Sequence, residues 1–164
     1  MDSAEGLERA EGIAEVFEVV KDSVRATLNR ERAGLMLGLS DMGFASNGFI
    51  GAYHPVGSNV IVMNKTILKR IARVDPEFVK PYTFHILLHE YLHILGVLDE
   101  ARTRLLTYAV CRENFGEEHM VTKISKNLEN FLPRILGRDL DSKEWNPFEV
   151  TLVEGFESDT NYIG

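Results

Sequence analysis

The stretch HILLHEYLHILGVLDE, residues 85–100, places His85, His89 and His93 together with Glu90, Asp99 and Glu100 in the most apolar segment of the chain. Within it His89, Glu90 and His93 form H-E-x-x-H. On a helix each residue advances about 100°, so four residues bring His93 to within about 40° of His89, one turn along. Two imidazoles then point into the same space. That is the geometry a zinc ion needs: two neutral nitrogen donors on a rigid element, a third protein ligand from elsewhere, and a fourth position open to water. A glutamate beside the first donor can reach such a water and carry its proton. The surrounding side chains add weight, because an unpaired polar group on an apolar helix costs roughly 1–3 kcal/mol. A shared metal would remove that cost.

The pattern continues as HEYLHILGVLD, with Gly96 and Asp99 completing H-E-x-x-H-x-x-G-x-x-D. A shuffled chain of this composition would contain the five-residue core about once or twice in a hundred trials, and the extended form roughly once in ten thousand. In this extended form the segment resembles the zincin metallopeptidases, and within them the metzincin branch, whose glycine turns the chain so that the last residue returns as third ligand. The resemblance implies zinc as the cofactor, His89, His93 and Asp99 as its ligands, and Glu90 as general base. It implies a peptide or protein substrate whose amide bonds are hydrolysed by metal-activated water. Two departures stand beside it. Metzincins carry a methionine in a tight turn under the metal, whereas the downstream Met120 falls near the start of an expected helix. In the sister gluzincins the third ligand is a glutamate from the following helix, so Glu100, Glu113, Glu117 and Glu118 remain open alternatives, as does His119.

Each residue also has a plainer role available. Asp99 lies three residues after a helix-stopping glycine and just before a new helical pattern, where an aspartate N-cap is ordinary. His85, one turn before His89, suits a hydrogen-bonded framework histidine or a group supporting the ligands. His54 beside Pro55 suits a turn, and Tyr53 and Tyr91 suit packing, although either phenol has the chemistry to stabilise an oxyanion.

The elements that must position these residues follow from periodicity. Leu7, Ile13, Val16, Phe17, Val20 and Val24 recur at helical spacing with acids between them, predicting an amphipathic helix over about residues 4–28. AGLMLGLS, residues 33–40, predicts a short buried strand. Two β-prone runs, 49–54 and 59–63, are separated by Pro55 and Gly57, a hairpin signal. In zincins an edge strand at this point in the chain order holds an extended peptide by strand addition. A short helix over 66–73 follows, then Asp75-Pro76 in the order of a cap before proline. Pro81 fits the first turn of a central helix over 82–95, which is apolar on nearly every face and stopped by Gly96. Further helices are expected over about 101–114 and 119–136, then a loosely structured tail from 138 holding at most one strand, FEVTLVE. The expected class is α+β: one zincin-like domain over 1–164, with a small mixed sheet, a hairpin edge strand, the motif helix and C-terminal helices.

Composition bounds the function. With 164 residues, 45% hydrophobic and 26% charged, the chain has the profile of a soluble globular protein. A formal charge of −7 argues against a surface built for phosphate backbones. The lone Cys111 makes neither an internal disulfide nor a thiolate zinc site, which suits a reducing compartment. The N-terminus interleaves acids with apolar residues and so lacks the pattern of a secretory signal, and no run approaches the length of a membrane span. These features together predict a cytoplasmic protein that does not bind membranes. Two other functions share the same residues. The ligand offset also resembles that of the YbeY family of metal-dependent ribonucleases, although Glu90 replaces that family's glycine and Asp99 its last histidine. A zincin-like scaffold that binds metal or a partner without turnover is the third.

Overall fold

The computed structural model describes residues 2–44, 50–133 and 145–153, the last segment by its backbone alone over 145–149. The fold is mixed α+β, as the periodicities predict. Among the described residues it comprises six α-helices, two short 3-10 turns and a four-stranded mixed sheet. It divides into two compact units, one built from residues up to 33 together with 80–128, the other from 34–79 and the described residues after 128.

The first unit is helical. Helix α1, Ser3–Arg9, is capped by Asp2, whose side chain accepts the Glu5 N–H at 2.8 Å, and α2 runs from Ile13–Leu28. The single helix expected over 4–28 is therefore broken. Ala10 and Gly12 are extended, and the Glu15 carboxylate reaches back to accept the Glu11 N–H at 2.8 Å, which fixes a fresh helix start. The motif helix α4, Val79–Ile94, buries Tyr82, Thr83, Phe84, Leu87, Leu88, Tyr91 and Leu92. Each large apolar side chain buried in this way contributes roughly 1.5–3 kcal/mol. Tyr91 stacks edge-on against Phe17 of α2 with ring centroids 5.3 Å apart, and its hydroxyl accepts the Arg32 N–H at 2.8 Å. Helix α5, Glu100–Phe115, packs Phe115 against Phe84 at 4.8 Å and ties to α2 through Asn114, whose amide donates to the Thr27 hydroxyl at 2.7 Å. Helix α6, Met120–Lys126, is much shorter than the expected 119–136. Asn127 leaves the helical region, a 3-10 turn follows over Leu128–Asn130, and residues beyond 133 in that expected helix lie outside the described residues.

The second unit holds the sheet. Strand β1, Met36–Met42, pairs in parallel with β3, Val60–Asn64, and antiparallel with β4, Trp145–Leu152. The hairpin forms as expected, but its first arm is only Ala52–Tyr53, labelled β2, paired antiparallel with Val62 and Met63. The strand order is β2-β3-β1-β4, so β2 is an edge. Helix α3, Lys65–Val74, follows β3 directly. Buried Asn64 joins the two: its Oδ1 accepts from Thr66 N–H at 3.0 Å and Met42 N–H at 3.2 Å, while its Nδ2 donates to the carbonyls of Gly43 and Ile50, both at 2.9 Å. Among the described residues no helix is long and apolar enough to cross a membrane.

Candidate metal centre

The residues that α4 leaves out of the core form one stripe. His85, Ile86, His89, Glu90, His93 and Ile94 are half-buried while the rest of the helix beyond Pro81 is buried. The polar groups of this apolar helix thus sit along its one unpacked face. His89 and His93 meet there edge to face, with ring centroids 4.7 Å apart and their Nε2 atoms 3.1 Å apart.

The turn after α4 supplies the rest. Gly96 adopts φ +106°, a conformation open to glycine at little cost. It lets the Gly96 N–H donate to the His93 carbonyl and the Val97 N–H donate to the Leu92 carbonyl, both at 3.0 Å, the paired bonds of a Schellman stop. The Arg30 guanidinium donates to the Leu95 carbonyl in the same turn. The reversal brings the Val97 carbonyl to 2.7 Å from His93 Nδ1. A carbonyl only accepts, so His93 carries a proton on Nδ1, and with a metal bound Nε2 would be the ligand atom. Buried Thr103 supports the same carbonyl, its hydroxyl lying 3.2 Å from Val97 O and 2.8 Å from Asp99 O.

Asp99 then caps α5, its side chain accepting the Ala101 N–H at 3.2 Å. Glu100, the first residue of that helix, turns its carboxylate to the histidines, 2.8 Å from His93 Nε2 and 3.3 Å from His89 Nε2. The three donor atoms, two imidazole nitrogens and a carboxylate oxygen, lie within 4.8 Å of one another. Of the sequence candidates, the structure brings together His89, His93 and Glu100, one of the alternatives to Asp99. The others have different partners: Glu117 accepts from the Tyr108 hydroxyl at 2.7 Å and pairs with Lys126 at 3.0 Å, Glu118 pairs with Lys123 at 3.9 Å, and His119 caps α6 by accepting the Val121 N–H at 3.2 Å. Glu113 is exposed. His54 does turn work, its Nδ1 lying 2.9 Å from the Val60 carbonyl.

Electrostatics follow from this placement. Burial pushes the Glu90 carboxyl up to about 7; the neighbouring His93 pulls it back down and Glu100 adds to the rise. His89 is held below the usual imidazole range, first by burial, with Glu100 opposing and the charges of His93 and Arg104 reinforcing. His85 drops to about 4 through burial and the nearby His89, and its buried Nδ1 has no hydrogen-bond partner. Cys111 is a buried free thiol, pushed up to about 12 by burial despite a hydrogen bond to Ser125.

The donor set fits a divalent ion of the zinc type. Two imidazoles and a carboxylate are zinc ligands in kind, and nitrogens held about 2.0–2.1 Å from a tetrahedral ion stand roughly 3.3 Å apart, close to the separation of the two Nε2 atoms. His93 Nδ1 held against a backbone carbonyl is the outer arrangement that metal-binding histidines adopt. The sequence motif announced the histidines. The Val97 carbonyl, Thr103 and Arg104 carried no such signal, although the apolar Val97 just after Gly96 is the residue type that accompanies a Schellman stop. Comparison of the chain with protein-family models, with curated proteins and with solved structures gives no match in any of the three.

Proposed function

We propose that this chain is a zinc-dependent peptidase of the zincin kind, with His89, His93 and Glu100 holding the metal and Glu90 as general base. The observation that carries the reading is the convergence of three donors within 4.8 Å, with His93 oriented by its Nδ1 against the Val97 carbonyl at 2.7 Å. A glutamate from the helix after the motif is the gluzincin type of third ligand, which makes the ligand set closer to that branch than to the metzincin one. Asp99, capping α5, is left out of the set.

When bound, zinc supplies the charge that acidifies a water and stabilises the oxyanion formed on attack at a carbonyl. The chain's own residues do the remainder. Glu90 stands beside His89, and its carboxylate senses the charges of His93 and Glu100. A half-buried carboxylate at that place is positioned to act as a base. It takes the proton released as water attacks the amide carbon and returns it to the departing nitrogen, leaving a carboxylic acid and an amine. His93 keeps its orientation through Val97, and Thr103 keeps Val97 in place.

The test combines metal content and turnover. Protein purified without chelator or metal-affinity resin is expected to contain about one zinc per chain, to lose it in His93→Ala, and to cut members of a broad peptide library. Glu90→Gln should keep the metal and lose at least about a hundredfold in rate. Zinc-loaded protein that cuts no peptide, or cuts structured RNA instead, would overturn the proposal. The ribonuclease reading draws less support from the geometry, since it needs a ligand at position 99, where Asp99 serves as a cap.

A further inference from the structure

Helix α4 carries no lysine or arginine in its last turn; the basic residue there is His93, whose ring faces Glu100. The cation that ordinarily settles the carbonyls of a helix end comes from elsewhere in the chain. Helix α2 closes at Asn29, in the left-handed region at φ 53°, and the residues after it lie along the end of α4. Arg32 donates its N–H to the Tyr91 hydroxyl at 2.8 Å, and Arg30 donates its guanidinium to the carbonyl of Leu95, 65 residues away in sequence. A Cβ built on Gly96 would stand 4.0 Å from Arg30 Nη2, so the guanidinium also lies against the glycine of the turn. The adjacent carboxylate, Glu31, is taken by Arg25 at 2.9 Å.

We propose that Arg30 is a positioning residue of the donor cluster, bracing the turn after α4 so that the Val97 carbonyl keeps its place behind His93. Peptide groups are planar, so the turn is a row of linked plates. The plate between Leu95 and Gly96 is held at both edges: its N–H donates to the His93 carbonyl at 3.0 Å, and its carbonyl accepts from Arg30. The next plate, between Gly96 and Val97, is held by its N–H on the Leu92 carbonyl at 3.0 Å. The one after it carries the carbonyl that stands 2.7 Å from His93 Nδ1. The hinge between the first two plates is Gly96 at φ +106°, the residue type with the widest backbone freedom. Without Arg30 the first plate is held at one edge only, directly beside that hinge. The carbonyl two plates on then samples more positions, and the His93 ring moves with it. Arg30 therefore acts on the cluster through the backbone. The inference rests on the metal-binding half of the proposed function and is independent of the substrate.

The full chain is compared with Arg30→Ala and Arg30→Lys in two ways. Zinc affinity is measured by competition with a chromophoric chelator. The His93 Nδ1–H resonance is followed by NMR in metal-free protein, where its protection from exchange with water reports the bond to Val97. Arg30→Ala is expected to bind zinc about tenfold more weakly, the lower end of what lost outer partners cost, and to lose or broaden the resonance. Arg30→Lys keeps one charged donor and should recover part of both. A merely structural brace would lower the denaturant midpoint while leaving resonance and affinity alone, and that result overturns the proposal. So does a wild type in which the resonance is absent. Should Arg30→Ala fail to fold, Arg30→Gln decides by the same two readings. A wild type that binds no zinc, with a resonance that is lost in Arg30→Ala, would sink the metal reading and leave the brace standing. Zinc bound equally by all the proteins would do the reverse.

Discussion

The first unit contains two successive helix-turn-helix links built from the same parts. Helix α4 ends, Gly96 takes φ +106°, and Asp99 caps α5; helix α5 ends, Gly116 takes φ +87°, and His119 caps α6. Each link has a threonine that reaches back to a carbonyl of the turn, Thr103 to Val97 at 3.2 Å and Thr122 to Gly116 at 2.6 Å. Among the described residues only the first brings three metal-competent donors together. The difference lies in what precedes and follows each cap. Asp99 and His119 are both ligand types, and in each a side-chain acceptor, Oδ1 or Nδ1, takes a backbone N–H of the helix it caps. What the first link adds is Glu100 immediately after the cap, where the carboxylate is free to swing back, and two histidines on the last turns of α4 to meet it. Residue type alone therefore does not select a ligand; the residue beside a cap has a freedom that the cap itself lacks.

The sharpest way to break this comparison is to exchange the roles. Glu100→Ala is expected to weaken zinc binding at least about a hundredfold, since loss of mere outer partners already costs ten- to a hundredfold. Asp99→Asn should leave metal affinity unchanged and stability within a few tenths of a kcal/mol, because asparagine caps as well as aspartate. Metal titration of both variants decides it, and the opposite ranking would restore Asp99 as the ligand.

Acid probes the region beneath the first link. His85 is held at about 4 against an ordinary 6.5, so between those values the unfolded chain binds a proton that the folded chain refuses. Stability from this source is intact above pH 6.5 and falls as pH drops through the window, by about 3 kcal/mol at pH 4. Denaturant melts of metal-free protein should show that loss, and His85→Leu should flatten it.

Gly96→Ala and Gly116→Ala should each cost about 1–3 kcal/mol of stability for forcing a side chain to positive φ. Only the first should also weaken zinc binding, because only Gly96 sets the position of the Val97 carbonyl. Thermal melts with and without zinc distinguish the two. A smaller loss than at either glycine is expected for His119→Ala, about 1 kcal/mol or less from a lost cap, with metal content untouched.

Much of this was legible in the chain itself. The apolar run of α4, the glycine after it and the proline in its first turn marked the helix that carries the histidines. The 3.6-residue period also located α2, α3 and α5, and alternation with turn residues located the hairpin. What periodicity missed was punctuation. The break at residues 10–12 hid because Ala10 links Leu7 to Ile13 in steps of three, and the end of α6 hid because Asn127 is followed by residues that still look helical. The third donor of the cluster hid for a different reason. Asp99 and Glu100 are adjacent acids at a helix start, and which one caps depends on backbone angles: Asp99 is extended at φ −74°, ψ 122°, as an N-cap must be, while Glu100 is already helical.

All three donors lie between His89 and Glu100, on one helix end, one turn and the first residue of the next helix. Closing so short a loop costs little chain entropy, and contacts between near neighbours in sequence form early. The centre can therefore assemble before the sheet has paired. An ion captured at that stage would act as a nucleus, holding α4 and α5 antiparallel while the distant strands find their register. The αα-hairpin over 79–115 is also the natural piece to transplant into another helical scaffold.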